Sequence, residues 1–201
     1  MELKRINEIW PKIGGFLAVL ITIIVIILWI GDNAIPVLAF MYWLNLAILM
    51  FHEFEEYVFP GGFKTFINTK TVLSLPEPNK SSPISDGVII VINLGIWIVF
   101  IIAALLVNIA PWLGLSMVIF NIVNIVGHLL IFQKKVRGYN PGMITAILMI
   151  PFLVIVFVIV INQDLLTPLE YGVAGIIGFL SGISLPIYGS IIRKTEMLKS
   201  Q

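Results

Sequence analysis

The 201-residue sequence contains no cysteine and very little charge. Without cysteine, disulfide bonds, thiol nucleophiles and thiolate metal ligands are all excluded. Charged residues make up 11% of the chain, whereas soluble domains carry about 25%. The sequence also lacks a basic stripe with interleaved aromatic residues, so nothing indicates nucleic-acid binding. Hydrophobic residues make up 59%. The composition therefore excludes an ordinary soluble domain and predicts a single membrane domain over residues 1–201.

Six apolar stretches dominate the chain. A helix needs about 20 residues to cross a hydrocarbon core of about 30 Å, and each stretch is near that length. Lipid offers no partners to free backbone groups, so each stretch must be helical or belong to a closed barrel. Runs such as residues 21–27 do not alternate polar and apolar residues as barrel strands do. The sequence predicts an all-α, polytopic bundle of six transmembrane helices. Its spans cover residues 13–30, 35–54, 88–109, 112–132, 143–161 and 171–192.

Three connections between spans are short and carry helix-breaking residues, at positions 31–33, 108–111 and 162–168. Pro111 is well placed to begin a helix. Because these connections are short, each joined pair of spans is expected to form an antiparallel hairpin. The sixth span carries small residues that permit close helix approach, either within the protein or between subunits. They are Gly172, Gly175, Gly178 and Gly182.

The longest connection covers roughly residues 57–87. It contains Pro60, Pro76, Pro78 and Pro83. Within it Phe63, Phe66 and Ile67 lie among lysines, a pattern typical of a segment on the membrane surface. An ordered loop that caps the bundle would use the same residues, and the sequence does not separate these two interpretations.

The basic residues occupy one set of alternating segments. Three lie in each of four segments, and the segments between them carry only acidic residues such as Asp32, Asp164 and Glu170. Positively charged segments stay in the cytoplasm. We therefore predict a multi-pass protein of the plasma membrane with both termini cytoplasmic. The basic residues are Lys4, Arg5 and Lys12; Lys64, Lys70 and Lys80; Lys134, Lys135 and Arg137; and Arg193, Lys194 and Lys199.

A first polar cluster, residues 52–56, ends the second span. Ionisable groups inside membrane helices are costly and rare, which makes them candidates for function. Residues three and four apart share a helix face, so His52, Glu55 and Glu56 point one way. Asn45 lies two turns deeper on that face. Glu53 points to the side of this face. We expect its side chain to be solvated, or only to support the other residues of the cluster.

A second polar cluster, Asn121, Asn124 and His128, lies in the fourth span with spacings of three and four. The second and fourth spans run in the same direction. Asn45 and His52 are seven residues apart, as are Asn121 and His128, so the two pairs lie at matching depths at 1.5 Å per residue. We predict that the two helices touch through the two histidines, which are the only ones in the chain, and that they share a functional site.

A third polar element, residues 139–142 with the sequence Tyr-Asn-Pro-Gly, precedes the fifth span and predicts a turn that starts the helix. With it, the chain resembles the HXXEE-domain family of integral membrane proteins. Residues 52–56 match the HXXEE signature, residues 124–128 match NxxxH, and residues 139–142 match YxPG. The resemblance covers the central spans and implies an uncharacterised membrane protein suspected of enzymatic activity. The residues that it implicates are His52, Glu55, Glu56, Asn124, His128, Tyr139 and Gly142.

The first functional hypothesis is a metal-dependent membrane hydrolase. Imidazole and carboxylate together suit zinc, iron or manganese, and we predict His52, Glu56 and His128 as ligands of one such divalent ion. The ion would keep a position open for water or substrate and polarise a carbonyl or phosphoryl group. The depth of the cluster favours a lipid or a membrane-inserted peptide as substrate. The candidate catalytic residues are Glu55, Glu56, Asn124 and Tyr139.

Two other hypotheses use the same residues. A metal-free intramembrane hydrolase would use a glutamate as its base, and this set is similar in kind to the CAAX-protease and bacteriocin-processing family. That family has an arginine four positions after the second glutamate, where this chain has Pro60, so the analogy is chemical only. A transporter or ligand-binding subunit would use the polar residues of the second and fourth spans to pass protons or ions or to bind a small ligand. The outer halves of these two spans, however, lack ionisable residues.

Overall fold

A computed structural model describes residues 2–31, 35–74 and 83–199, with residue 199 described by its backbone only. The predicted break at Asp32 and Asn33 lies outside the described residues, as do Pro76, Pro78 and Lys80 of the long connection. The described chain forms seven α-helices, and a π-helical turn (Gly127–Ile131) and a 3₁₀ turn (Phe132–Lys134) prolong the fifth. The helices are α1 (Glu2–Ile30), α2 (Val37–Tyr57), α3 (Phe63–Lys70), α4 (Asp86–Leu105), α5 (Pro111–Val126), α6 (Met143–Asn162) and α7 (Pro168–Lys199).

All of these helices except the short α3 are long and apolar enough to cross a membrane. The described residues contain no strand. The predicted all-α class and the six spans are thus confirmed, and the chain is a multi-pass membrane protein. Two helices are longer than the predicted spans, because α1 already begins at Glu2 and α7 continues to Lys199.

Local sequence signals explain where several helices begin. Pro111 is the first residue of α5, where its missing N–H costs nothing. Ser85 caps α4 by accepting a hydrogen bond from the Val88 backbone N–H. At the start of α7, Thr167 and Glu170 bond reciprocally: the Thr167 N–H donates to the Glu170 carboxylate, and the Glu170 N–H donates to the Thr167 hydroxyl. This arrangement is a capping box.

Helices α2 and α5 form the centre of the bundle, and each also contacts α4 and α6. Their N-terminal ends are joined where the Tyr42 hydroxyl donates to the Pro111 carbonyl at 2.7 Å. A Cβ on Gly114 would lie only 1.8 Å from the Tyr42 ring, so glycine permits this close approach. The two helices run parallel, as predicted.

The last pair of helices departs from the predicted hairpin. Helix α7 packs along α5 rather than along α6, its neighbour in sequence. The cause is the glycine stripe: a Cβ on Gly178 would lie 2.3 Å from the Ser116 carbonyl, and one on Gly182 would lie 2.6 Å from Val123. Gly178 and Gly182 therefore serve a contact within the protein, whereas a Cβ on Gly172 or Gly175 would have nothing within 4 Å.

In its described residues, 57–74 and 83–87, the long connection is an ordered cap on the bundle rather than a segment on the membrane surface. Phe63, Phe66 and Ile67 of α3 are all buried inside the protein. The Asn68 side chain clamps the returning chain, since its amide donates to the Ile84 carbonyl and its oxygen accepts from the Ile84 N–H. The capping interpretation is thus the right one.

Basic residues from three parts of the chain meet at this cap. Lys64 pairs with Asp86 at 2.7 Å. The Lys135 ammonium donates to the Thr71 carbonyl, and the Arg193 guanidinium donates to the Ser74 carbonyl. The positive end of the bundle is therefore a single assembled surface.

Candidate metal centre

Two histidines and one glutamate converge between α2 and α5. The Glu56 Oε1 atom lies 3.6 Å from the Nε2 atom of His52 and 3.2 Å from the Nε2 atom of His128. The two imidazole rings cross edge to face, with centroids 4.8 Å apart. All three side chains are buried. The predicted contact between the second and fourth spans through His52 and His128 is confirmed.

The second predicted pair also meets, seven residues deeper. The Asn121 amide donates to the Asn45 side-chain oxygen at 2.8 Å. Both asparagines are buried, where an unpaired amide would be costly. Equal spacing on two parallel helices therefore produces two successive polar contacts, of which only the one nearer the cap contains ionisable groups.

His128 lies in the π-helical turn that prolongs α5. Such turns widen the helix by one residue and are frequent at functional sites. The rings of Phe63 and Phe132 pack on the imidazole, at centroid distances of 5.7 Å and 5.2 Å. The aromatic cap thus shields this histidine from the basic end of the bundle.

Asn140 holds His128 at two points. Its amide group donates to the His128 carbonyl at 3.0 Å, and its side-chain oxygen lies 2.7 Å from His128 Nδ1. Because the amide nitrogen is engaged by the carbonyl, the oxygen must accept the Nδ1–H. The proton of neutral His128 therefore sits on Nδ1, which leaves a lone pair on Nε2.

Thr145 holds His52 in the same way through a hydroxyl. The Thr145 Oγ1 atom donates to Glu55 Oε2 at 2.5 Å and lies 2.9 Å from His52 Nδ1. A hydroxyl has one proton, and Glu55 takes it. His52 must therefore donate its Nδ1–H to Thr145, so its Nε2 also carries a lone pair.

Glu55 mainly accepts hydrogen bonds from the first residues of α6. Besides the Thr145 hydroxyl, its carboxylate accepts the backbone N–H groups of Ile144 and Thr145 and the Tyr139 hydroxyl. A carboxylate at a helix N-terminus is favoured by the free N–H groups there. Tyr139 reaches Glu55 but not the histidines. Burial and the hydrogen bond to Glu55 raise the pKa of Tyr139, so its phenol remains a donor.

Gly142 lets the turn before α6 approach the two histidines. Its φ angle is +93°, which favours glycine. A Cβ there would lie 2.7 Å from the Cε1 atoms of both His52 and His128 and 3.0 Å from Glu56 Cγ. The position thus needs glycine for two separate reasons, conformation and space.

The three inward atoms of the site are all acceptors. Neither His52 Nε2 nor His128 Nε2 has a hydrogen-bond partner among the described residues, yet both face Glu56 Oε1. Buried lone pairs that face one another need a shared positive partner, which is either a proton or a metal ion. Ligand atoms around tetrahedral zinc at about 2.0–2.2 Å lie roughly 3.3–3.6 Å apart. The two measured distances to Glu56 are close to that separation, and the ligand atoms all lie within 4.8 Å of one another. The buried His-Glu-His group could hold a metal ion.

A cavity of about 220 Å³ adjoins the site. His52, Glu56 and His128 form part of its wall, and Asn124 lines it one turn before His128. The remaining wall is largely apolar. The candidate catalytic residue Asn124 thus faces the same space as the predicted ligands, whereas Glu55 and Tyr139 stand behind them. The catalytic roles assigned to these residues remain predictions.

Glu53 corrects one expectation, because it is not solvated. Its side chain is 2% exposed, and its Oε2 accepts a hydrogen bond from the Trp97 indole N–H at 2.5 Å. Helix α4 packs on this side of α2 and supplies the tryptophan. A neighbour from a distant part of the chain therefore covers a carboxyl side chain that helix periodicity places outside the cluster.

Two residues that position the histidines were missed by sequence reasoning. Asn140 lies inside the Tyr-Asn-Pro-Gly turn, where only Tyr139 and Gly142 were singled out. Thr145 lies three residues beyond Gly142. One signal in the sequence points to both: each is a polar residue in or next to the turn at residues 139–142, which precedes the fifth span.

The comparisons with known proteins place the chain among sequences without an assigned activity. The model of a family described as "Protein of unknown function with HXXEE motif" matches residues 43–156, more than half of the chain. The matched segment includes both histidines, Glu56, Asn140 and Thr145. Neither the curated proteins nor the solved structures include a match.

Proposed function

The chain belongs to the family of proteins of unknown function with an HXXEE motif, and we propose that it is a metal-dependent membrane hydrolase. His52, Glu56 and His128 would hold one divalent ion, zinc, iron or manganese. One observation carries this proposal: two buried imidazole nitrogens, which have no hydrogen-bond partner within the described part of the chain, face a single carboxylate oxygen at separations that suit a metal ion.

The surrounding residues would stabilise the transition state and position the ligands. A bound ion acidifies its water and polarises a carbonyl or phosphoryl oxygen. Asn124, on the wall of the same cavity, would donate its amide N–H to the oxygen that becomes negative. Glu55 and Tyr139 would act as positioning residues, since Glu55 already accepts four hydrogen bonds at the start of α6.

The substrate would be a lipid or a membrane-embedded peptide of the cytoplasmic leaflet of the plasma membrane. The site lies at the end of the bundle where Lys64, Lys135 and Arg193 gather, and positive segments stay in the cytoplasm. The absence of cysteine gives a clean test of this orientation. In intact cells an impermeant maleimide should label a Glu170→Cys variant but not a Lys4→Cys variant.

Metal content of the purified protein tests the metal site itself. We expect about one zinc, iron or manganese ion per chain in the wild type. The variants His52→Ala, His128→Ala and Glu56→Gln should each lose it. Asn121→Ala is the matched control, because it breaks a buried polar contact between the same two helices without touching a ligand, and it should retain the metal.

A well-folded wild type that stays free of zinc, iron and manganese after supplementation would contradict the metal site. That result would favour a second candidate, a metal-free hydrolase in which Glu56 is the base. The observation behind it is the 3.2 Å separation of Glu56 Oε1 and His128 Nε2, which is within reach of a shared proton.

A further inference from the structure

One polar atom on the wall of the cavity is not used by the proposed metal site. Glu53 is 2% exposed, and the Trp97 indole fixes its Oε2. Its Oε1 has no hydrogen-bond partner among the described residues. A buried carboxyl oxygen without a partner is costly, so a fixed side chain that leaves one oxygen free is suited to accept a hydrogen bond from a ligand.

The residue that carries this oxygen lines the same cavity as the histidines. Glu53 and Glu56 are three residues apart on α2, which places them on adjacent faces about 5–6 Å apart. Both line the cavity of about 220 Å³. Leu49, Phe120 and Phe132 supply apolar wall between the polar groups. The cavity therefore offers a hydrogen-bond acceptor, an apolar surface and the candidate metal centre within one space.

Helix α7 forms one side of the cavity. Ser184, Pro186 and Ser190 line it and are exposed on the outer surface. They lie three to nine residues before Arg193, or about 5–14 Å along a helix. An opening beside these exposed residues would lie in the membrane-crossing wall, just below the basic end, and a molecule would enter it from the bilayer rather than from water.

We propose that this cavity binds the head of a single-chain lipid that carries a hydroxyl or amide N–H group, which donates to Glu53 Oε1. Its volume is below the roughly 300–1,000 Å³ of drug-sized ligand pockets, so it admits a head group and the first few carbons. The rest of the chain would pass the exposed residues Ser184, Pro186 and Ser190 of α7 into the bilayer. The position of the lipid's reactive group beside His52, Glu56 and His128 rests on the proposed function, whereas recognition by Glu53 does not.

Native mass spectrometry of the purified full-length protein tests the site with two matched pairs of lipids. The first pair is 1-O-hexadecylglycerol and its 2,3-di-O-methyl ether, which tests a hydroxyl donor. The second is palmitamide and N,N-dimethylpalmitamide, which tests an amide donor. We expect at least about ten-fold tighter binding of the donor in one pair, and the pair that shows it identifies the kind of donor.

The decisive variant is Glu53→Gln, which keeps the volume and the hydrogen bond from Trp97. Its only oxygen is then occupied, and an NH₂ group faces the cavity. The preference for the donor lipid should fall to about one-fold. At the exposed opening, Ser184→Trp should reduce binding of both members of a pair at least ten-fold, and the matched Ser184→Ala should not.

Equal binding of both members of each pair by the wild type would overturn the proposal. Glu53 Oε1 would then accept no hydrogen bond from the lipid. A preference that survives in Glu53→Gln would overturn it as well. His128→Ala separates it from the metal hypothesis, since this variant keeps Glu53. A donor preference that His128→Ala retains would show that recognition by Glu53 does not need the metal. A donor preference in a wild type that stays free of metal would refute the metal site alone, and a metal-loaded wild type without the preference would refute the lipid site alone.

Discussion

The two histidines converge on one carboxylate oxygen, but different chemistry holds each of them. A neutral amide, Asn140, clamps His128 at both its ring and its backbone. His52 is held by Thr145, whose hydroxyl is bound in turn by the Glu55 carboxylate. One histidine thus has a short local clamp, and the other is tied to the N-terminus of α6. Both supports come from residues 140–145, so the start of α6 organises a site whose candidate ligands lie on α2 and on the π-helical turn that prolongs α5.

The largest expected effect comes from Gly142→Ala, which disturbs both supports at once. The new Cβ would lie 2.7 Å from ring atoms of His52 and His128, so the turn must move away from the site. The φ of +93° adds backbone strain, about 1–2 kcal/mol for an L-residue. We expect loss of bound metal and a clearly lower Tm, measured by elemental analysis and thermal unfolding of the purified protein.

Gly62→Ala is the matched control for this variant. Gly62 also precedes a helix and has a φ of +94°, and a Cβ placed on it would have nothing within 4 Å. It therefore carries the backbone strain without the collision. Metal retention by Gly62→Ala together with loss in Gly142→Ala would assign the effect to the contact with the histidines. Equal behaviour of the two variants would show that the turn does not set the ligand geometry.

The next largest effect is expected for Asn140→Ala. The change leaves His128 Nδ1 and the His128 carbonyl without the partner that fixes them. Groups that orient a metal-binding histidine typically contribute 10–100-fold to metal affinity, and the double contact places Asn140 near the upper end. We expect about a 100-fold loss of affinity, measured by competition with a chromogenic chelator.

Asn121→Ala controls for the loss of a buried asparagine. It removes the hydrogen bond to Asn45, seven residues away from the metal site. We expect a comparable loss of thermal stability with metal affinity unchanged. If Asn140→Ala lowers stability but leaves the affinity unchanged, the asparagine only stabilises the fold, and the comparison between the two histidines loses its meaning.

Much of this arrangement follows from sequence periodicity. Hydrophobic runs locate the spans because lipid permits few alternatives. The seven-residue spacing in α2 and α5 predicts the contact between His52 and His128, since two parallel helices with the same rise bring equal spacings together. Glu56 joins them because it lies one turn after His52 on the same face.

The remaining features depend on packing between distant segments, which periodicity does not encode. Glu53 is buried and bonded to Trp97 of α4, a residue 44 positions further along the chain. Helix α7 packs on α5 because Gly178 meets Ser116, whereas the short connection favours α6. Asn140 lies in a turn, where asparagine often forms a hydrogen bond to the neighbouring backbone. The sequence does not distinguish that local role from a contact with a distant histidine.

The smallest effect is expected for Thr145→Val, which keeps the shape of the side chain and removes only the hydroxyl. His52 Nδ1 then loses its acceptor, but Glu55 keeps three of its four donors, so α6 should still begin at the same place. We expect about a ten-fold loss of metal affinity and little change in Tm. Thr69→Val, on the exposed side of α3, is the control and should change neither.

The double variant Asn140→Ala/Thr145→Val then tests whether the two supports are independent. If each residue acts only on the ring that it holds, the losses in binding free energy should add, to about 1,000-fold in affinity. A combined loss no larger than that of Asn140→Ala alone would mean that both side chains act through the same movement of the turn around Gly142. In that case the start of α6 is the single support of both histidines. The difference between the Asn140 amide on His128 and the Thr145 hydroxyl on His52 would then have no effect on the free energy of metal binding.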